Sequence, residues 1–301
     1  MSKELFNKGV NQLRILIDNE LIEMDDKYKD EYICPGTTCR FSENNINELS
    51  LEDAPQNALG GQKIALTSKS WNNECGREVD AYLFNSIVNY ENAHFVPGSA
   101  SKVKIKIKDK EFNGMLMVHL DGKMEMRNSE KQNDPKLLAE YMSQLKPGLK
   151  YSIRHMPSKT DINRASAAIL KNAYIILFSK FGYTFLLDDY YSKIREQIEK
   201  PTEKILPILW SMNNPLSLKD GVYFMFPPCE KGFLVVYTIK RLLEYQVLVT
   251  IPIPSVSYDK MRSYLDSLNS GDKMTLSRIC EKDVYWSDIN YIKGVSDFVF
   301  Q

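Results

Sequence analysis

The stretch from Ser101 to Asp109 alternates strictly between apolar and charged side chains. Val103, Ile105 and Ile107 fall on one side, and lysines fall on the other. Successive side chains of a β-strand point to opposite faces, so this pattern predicts a strand with one buried face and one face in solvent. The chain must therefore contain a sheet that is covered on one side only.

Other segments predict helices and further strands. A long helix is expected over residues 162–181, because Asp161 is a suitable N-cap and Gly182 a suitable C-terminal stop. Apolar spacing also predicts helices and strands elsewhere. The expected helices are 3–24, 72–90, 135–145, 188–199 and 258–268, and the expected strands are 115–120, 221–227, 231–240 and 245–252. These elements suggest three segments, 1–95, 96–200 and 201–301, in an α+β fold.

Composition sets the broad class. The 301 residues are 43% hydrophobic and 26% charged, which is typical of a globular chain with a substantial core. The five cysteines are too few and too irregularly spaced for a disulfide framework, and no apolar run is long enough to cross a bilayer. We therefore expect a cytoplasmic protein without membrane association. Lys plus Arg equals Asp plus Glu at 39 each, so any nucleic-acid affinity must come from a local patch.

The segment from Ser50 to Leu83 carries the motif with the most chemical content. It contains Glu52-Asp53-Ala54-Pro55, then Leu59-Gly60-Gly61, Leu66-Thr67-Ser68, Trp71-Asn72-Asn73, and Gly76 through Val79-Asp80. This layout resembles the central motif of the HNH family, the ββα-metal endonucleases. Weaker similarity to the region that follows the motif in bacterial HNH-type proteins extends from Arg164 to Ile198.

The resemblance implies a hydrolytic site with a divalent metal, Mg²⁺ or Mn²⁺. Glu52 and Asn72 would be metal ligands, and Asp53 would stand where the family carries its general-base histidine. A carboxylate is a weaker base than an imidazole, so slower hydrolysis is expected. Alternatively, Asp53 would be a further metal ligand while the metal acidifies the attacking water. Glu52, Asp53 and Asn72 are thus the candidate catalytic and metal-binding residues.

Structural zinc is a second question that the resemblance raises. Family members often hold zinc with two cysteine pairs, but here the second pair is replaced by Ser68 and Trp71. Cys34 and Cys39 remain as candidate ligands. Because a complete ligand set is missing, zinc is not the favoured prediction, and Trp71 is expected to fill the corresponding space with apolar area.

The alternating lysines are candidate nucleic-acid contacts. Lys102, Lys104, Lys106 and Lys108 would stand about 6.6 Å apart along an extended strand, close to the spacing of successive phosphates. Arg154, Lys159 and Arg164 are candidates to extend that surface. The alternative is a solvated strand whose lysines prevent aggregation.

Two main functional hypotheses follow, and a metal-free structural or regulatory subunit is a third, less favoured one. The first is an HNH-like DNA endonuclease, for which the family context suggests a bacterial antiphage-defence or mobile-element role. The second is a catalytically degenerate HNH-fold protein that binds nucleic acid or a protein. DNA is the expected partner in the first case, and a protein partner or a homo-oligomer is compatible with the second.

Overall fold

A computed structural model describes residues 1–107, 110–128, 132–144, 146–148, 150–213, 218–228, 230–268 and 273–301. Over these residues the fold is α+β, with ten α-helices and antiparallel sheets, as the sequence predicts. Two compact units are present. Unit 1 comprises Met1–Leu83 and Ile162–Gln301, and unit 2 comprises Phe84–Asp161.

The helices and strands are numbered in chain order. The helices are α1 (Ser2–Asp18), α2 (Lys69–Cys75), α3 (Ala81–Ala93), α4 (Pro135–Gln144), α5 (Ile162–Phe181), α6 (Tyr183–Leu186), α7 (Ser192–Glu199), α8 (Tyr258–Ser267), α9 (Val284–Ser287) and α10 (Ile289–Phe300). The strands are β1 (Tyr32–Ile33), β2 (Arg40–Phe41), β3 (Leu49–Ala54), β4 (Gln62–Ser68), β5 (Ala100–Ile107), β6 (Lys110–Val118), β7 (Met124–Asn128), β8 (Ser152–His155), β9 (Trp210–Asn213), β10 (Gly221–Phe226), β11 (Gly232–Lys240), β12 (Glu244–Pro252) and β13 (Thr275–Arg278).

Helix α5 forms the centre of unit 1. It is rich in Ala, Ile and Leu, so most of its circumference is apolar and becomes buried. It packs against the β3–β4 hairpin on one side and against β11 and β12 on another. Those two strands belong to a five-stranded antiparallel sheet in the order β13-β10-β11-β12-β9. The hairpin and the sheet are therefore held together through one helix.

The C-terminal end of α5 is fixed by a buried glutamine from α1. Gln12 Nε2 donates to Phe181 O at 2.8 Å and to Tyr285 O at 3.0 Å, while Gln12 Oε1 accepts from Tyr183 N at 2.8 Å. Between these contacts, Gly182 has φ +58°, and a Cβ built there would lie 1.9 Å from Gln12 Oε1. Only glycine therefore fits this turn.

Unit 2 contains most of α3 and a four-stranded antiparallel sheet with α4 on its apolar face. The strand order is β7-β6-β5-β8, and α4 contributes Tyr141 and Leu138 to the apolar face. Val103, Ile105 and Ile107 are buried there, while the lysines between them face solvent or are half-buried. The predicted alternation is therefore confirmed over the described part of β5.

The remaining sequence predictions differ in detail. The helices at 162–181 and 258–268 and the three C-terminal strands lie where they were expected, whereas β9 and β13 were not predicted. Helix α1 ends at Asp18 instead of residue 24, and β6 begins at Lys110 instead of residue 115. The contact-based division also differs from the three consecutive segments, because α5 and the C-terminal sheet pack with the N-terminal residues. No helix among the described residues has the length and apolar character to cross a membrane.

Changing Gly182 to alanine tests the Gln12 turn. We expect Gly182→Ala to lower the free energy of unfolding by about 2 kcal/mol or more, because the new methyl group meets Gln12 and the backbone conformation is strained. Gly76→Ala is the matched control, since Gly76 is helical and nothing lies within 4 Å of the position that a methyl group would take there. Chemical denaturation should show that the control is unchanged or up to about 1 kcal/mol more stable. Equal effects of the two substitutions would contradict this account of the turn.

Candidate functional site

Strand β3 places the two candidate carboxylates in different surroundings. Glu52 is only 2% exposed, whereas Asp53 is half-buried. The pairing between β3 and β4 shifts register between these two residues, so that Glu52 opposes Ala65 and Asp53 opposes Lys63. The Glu52 carboxylate accepts a hydrogen bond from Thr67 Oγ1 at 3.3 Å. Glu52 is therefore an interior residue of unit 1.

Lys171 of α5 is the main partner of Glu52. Its Nζ lies 2.7 Å from Glu52 Oε1 and 2.5 Å from Asp80 Oδ2. The Lys171 side chain is 0% exposed, and its ammonium lies 5.9 Å from the ring centroid of Trp71. An ammonium has three donors and cannot accept, so two carboxylates are suitable partners for it in the interior. Glu52, Asp80 and Lys171 form a buried ionic cluster, called here the Lys171 cluster.

Asp80 reaches this cluster from a π-helical turn, Gly76–Asp80, between α2 and α3. Such a turn adds a residue to the helical repeat and frees backbone carbonyls from the regular ladder. Two side chains donate to carbonyls of the turn: Gln56 Nε2 to Asp80 O at 2.8 Å, and Arg164 to Glu78 O at 3.0 Å. The turn is therefore fixed by specific contacts, and its last residue faces Lys171.

Within the Lys171 cluster, burial and the neighbouring charges shift each pKa in opposite directions. Burial disfavours the Lys171 ammonium, but Asp80 and Glu52 together outweigh it and raise the Lys171 pKa above its ordinary value. For Glu52 and Asp80, burial is the larger influence and raises each pKa, although Lys171 opposes it. Burial likewise raises the pKa of the neighbouring Cys75 thiol. The cluster therefore holds a firmly protonated lysine between carboxylates that take up protons more readily than exposed ones.

The residues around Glu52 do not fit a divalent cation. A Mg²⁺ ion bound to Glu52 Oε1 at about 2.1 Å would lie within about 5 Å of Lys171 Nζ, which is itself 2.7 Å from that oxygen. The repulsion between the two cations would be about 7 kcal/mol at an effective dielectric constant of about 20. Lys171 already supplies the positive charge that the buried carboxylate needs.

Asn72 lies near Glu52 but is engaged with the β3 backbone. Its Nδ2 donates to Ser50 Oγ at 3.0 Å and to Leu51 O at 3.1 Å. These bonds attach α2 to the hairpin, and the role of Asn72 as a metal ligand stays a prediction. Among the residues that the structure describes, no group of three or more His, Cys, Asp or Glu is placed to hold a metal ion.

The candidate zinc ligands Cys34 and Cys39 are also in unlike surroundings. Cys34 is buried, and its Sγ accepts from Ser68 N at 3.2 Å, whereas Cys39 is exposed. Trp71 is only 4% exposed and packs against Gly36, where an added Cβ would lie 2.4 Å from the indole ring. The indole therefore fills the space between the 34–39 loop and α2, as expected for apolar packing at this position.

The lysines of unit 2 are arranged largely as predicted. Lys102, Lys104 and Lys106 lie on the face of β5 opposite the apolar core, and Arg154 of β8 is paired in register with Lys104. Lys108 lies outside the described residues. Arg164 belongs to unit 1, where it is bound to Glu78.

Comparison with known proteins gives no match to a family model, to a curated protein or to a solved structure. The HNH resemblance therefore stays a prediction from the motif residues.

Lys171 and Asp80 were not predicted to be partners of Glu52. Asp80 is the last residue of the motif, and Lys171 falls within the helix predicted over residues 162–181. A signal was nevertheless present, because Lys171 lies between the apolar runs Ala167–Leu170 and Ala173–Phe178 of one predicted helix. A charged residue in such a helix is rarely buried without a partner, so it indicates an opposite charge elsewhere in the core.

Lys171→Met tests the energetic role of the cluster. We expect it to lower the free energy of unfolding by about 3–5 kcal/mol, because two buried carboxylates lose their counter-charge. The triple variant Glu52→Gln/Asp80→Asn/Lys171→Met removes all three charges and should recover most of that loss. Denaturant titration of both variants measures the difference. A triple variant no more stable than Lys171→Met would show that the charges are not coupled.

The pH dependence of stability provides a separate test. The raised pKa of Lys171 means that its contribution is fully present below its ordinary value of 10.5 and is lost as pH rises toward the folded-state pKa. The difference in unfolding free energy between the wild type and the triple variant should therefore be constant from about pH 7 to about pH 10 and decrease above that range. Titratable groups elsewhere in the chain affect the wild type and the triple variant alike, so their contributions cancel in this difference. A difference that stays constant above pH 10.5 would contradict the assignment.

Proposed function

We propose that this chain is a catalytically degenerate HNH-like protein that binds duplex DNA without a divalent metal. Two features support the proposal. The position expected to seat the metal faces the Lys171 ammonium, and a cationic surface lies on the sheet of unit 2. The cationic surface supports the proposal of DNA binding, and the Lys171 ammonium beside Glu52 argues against metal-dependent hydrolysis there.

The cationic surface is the solvent face of the four-stranded sheet, called here the basic face. Residues paired in register on neighbouring strands lie on the same side of a sheet. Lys102 is paired with Met115, and Met115 with Arg127, while Lys104 is paired with Arg154. Among the described strand residues, the cations on this face are Lys102, Lys104, Lys106, Arg127 and Arg154, and the acids are Glu111 and Glu125. Five positive and two negative charges leave a local excess of three in a chain whose formal net charge is zero.

The acids on the basic face do not block it. Glu111 lies 3.2 Å from Lys104 Nζ and 3.8 Å from an Arg154 nitrogen, and Glu125 lies 2.6 Å from Arg127 Nε. Exposed pairs of this kind contribute only about 0–1 kcal/mol, so phosphates can replace them. Lys102 and Lys106 make no salt bridge to any described residue and are exposed. These two lysines are the cations most available to phosphate.

The spacing and the surroundings of the lysines favour nucleic acid. Lys102 and Lys106 lie four residues apart on a strand, with Lys104 midway between them, which gives steps of about 6.6 Å. Met115 is 40% exposed and pairs with Lys102, and Met156 is 45% exposed with its N–H bonded to Lys102 O. Thioether side chains beside the cations offer apolar contact to sugars and bases. Contacts to the phosphate backbone would supply most of the affinity for DNA and would make that affinity strongly dependent on salt concentration.

Substituting the two available lysines tests DNA binding. We expect Lys102→Gln/Lys106→Gln to weaken binding to a duplex and to reduce the slope of log K against log salt concentration by about 2, because two phosphate contacts are lost. Fluorescence anisotropy in EDTA at several salt concentrations measures both effects. Lys282→Gln/Lys293→Gln is the matched control, since it removes the same charge from two exposed positions of unit 1. An equal loss in the control, or tighter binding to RNA than to DNA, would contradict the proposal.

A cleavage assay tests the absence of catalysis. Supercoiled DNA incubated with the pure protein and Mg²⁺ or Mn²⁺ should stay intact. Glu52→Gln and Asp80→Asn form a useful pair, because each removes one carboxylate from Lys171 but only the first removes the predicted metal ligand. Cutting that is abolished by Glu52→Gln and retained by Asp80→Asn would establish the endonuclease instead.

A further inference from the structure

Two of the described cysteines lie opposite each other at the end of the β1–β2 hairpin. Ile33 is paired with Arg40, so the next pair along the two strands is Cys34 and Cys39. Cys34 N donates to Cys39 O at 2.9 Å, and Cys34 O accepts from Thr38 N at 2.8 Å. Thr38 has φ 57° and forms a bulge at the turn. The antiparallel pairing therefore continues as far as the two cysteines.

The alternation of side chains places both cysteines on one face of the hairpin. Cys34 follows Tyr32 by two residues and Cys39 precedes Phe41 by two, and Tyr32 and Phe41 are a directly opposed, buried pair. Opposed residues in a hydrogen-bonded pair have Cα atoms about 5.5 Å apart, within the range of about 4.4–6.8 Å that a disulfide spans. The Cβ atoms have to approach by about 1 Å. A disulfide between Cys34 and Cys39 therefore needs only a small local movement.

The two thiols differ in their access to solvent, which gives them separate roles in such a reaction. Cys39 is exposed, whereas Cys34 is buried. A dissolved oxidant therefore reaches the Cys39 sulfur first, and Cys34 has to reach only its neighbour across the hairpin. Exposed disulfides are also the ones that are readily reduced again. This arrangement favours a reversible bond over a permanent structural one.

The Cys34 sulfur also contacts the beginning of α2. Its Sγ accepts a hydrogen bond from Ser68 N at 3.2 Å, and Ser68 is the N-cap of α2, where its Oγ accepts from Trp71 N at 3.2 Å. The indole of Trp71 packs against Gly36 in the loop between the two cysteines. Turning the Cys34 sulfur toward Cys39 would remove the acceptor of the Ser68 N–H. Oxidation of the hairpin would therefore weaken its attachment to α2.

We infer that Cys34 and Cys39 form a reversible disulfide with a low-molecular-weight disulfide, such as oxidised glutathione, as the oxidant. The Cys39 thiolate attacks one sulfur of oxidised glutathione, forms a mixed disulfide and releases one reduced glutathione. Cys34 then loses its proton to solvent, and its sulfur attacks the Cys39 sulfur and releases the second reduced glutathione. The chain loses two hydrogen atoms, and one oxidised glutathione becomes two reduced ones. The inference does not depend on DNA binding or on the HNH resemblance.

Oxidation of the folded protein in excess oxidised glutathione, followed by intact mass and peptide mapping, tests the inference. Cys229→Ser/Cys280→Ser is the background, because Cys280 is half-buried and Cys229 lies outside the described residues. We expect this background to lose two hydrogen atoms, to link Cys34 to Cys39, and to be restored by reduced glutathione. Cys34→Ser in the same background should stop with one glutathione on Cys39, and Cys39→Ser should not react.

Hydrogen exchange of the oxidised and reduced background tests the contact with α2. The Ser68 N–H should exchange faster after oxidation, while the Thr250 N–H, which is bonded to Leu209 O in the C-terminal sheet, should not change. Equal exchange at Ser68 in the two states would contradict the link between the hairpin and α2.

The mass data can overturn the inference directly. A background chain that stays unmodified, that keeps glutathione on Cys39 as Cys34→Ser does, or that links another pair of cysteines would do so. The melting temperature of each reduced variant confirms that it is folded, and the background chain alone provides the test if a further substitution prevents folding.

Discussion

The organisation of unit 1 depends on one buried charge. Lys171 lies in the middle of a long and largely buried helix, and its ammonium has to be satisfied by Glu52 and Asp80 because no solvent reaches it. Those two carboxylates come from the β3–β4 hairpin and from the π-helical turn, and they lie 119 and 91 residues before Lys171 in the chain. A shift of either element would leave a charge unpaired in the interior. The ionic cluster therefore restricts how α5, the β3–β4 hairpin and the helical run after β4 can pack together.

Such a cluster is not an efficient source of stability. Removing three charges from water is costly, and apolar residues of similar volume often give equal or greater stability. What the charges add is selectivity among alternative packings, because apolar contacts tolerate small displacements whereas an ammonium 2.7 Å from a carboxylate does not. Trp71, only 4% exposed, packs closely beside the same cluster. Together they give the segment after β2 a defined core.

The sequence predicted local features better than long-range partners. The alternating residues of β5 and the capped run of α5 specify their own secondary structure, because periodicity and end signals are local properties. Glu52 was predicted as a site residue from its place in a motif, but its partner stands 119 residues later in the chain. No periodicity links two such positions. Arg154 illustrates the same limit, since only the pairing of β8 with β5 brings it beside Lys104.

The distribution of charge explains why the proposed DNA binding is compatible with a formal net charge of zero. In the Lys171 cluster the ammonium is fully buried and is neutralised by carboxylates inside the protein. It therefore contributes little to the electrostatic potential at the protein surface. On the basic face the cations are exposed and paired only with weak surface partners, so they remain available to phosphates. An overall charge count treats these two groups alike. The functional distinction lies in burial, because only an exposed charge can exchange its partner for a ligand.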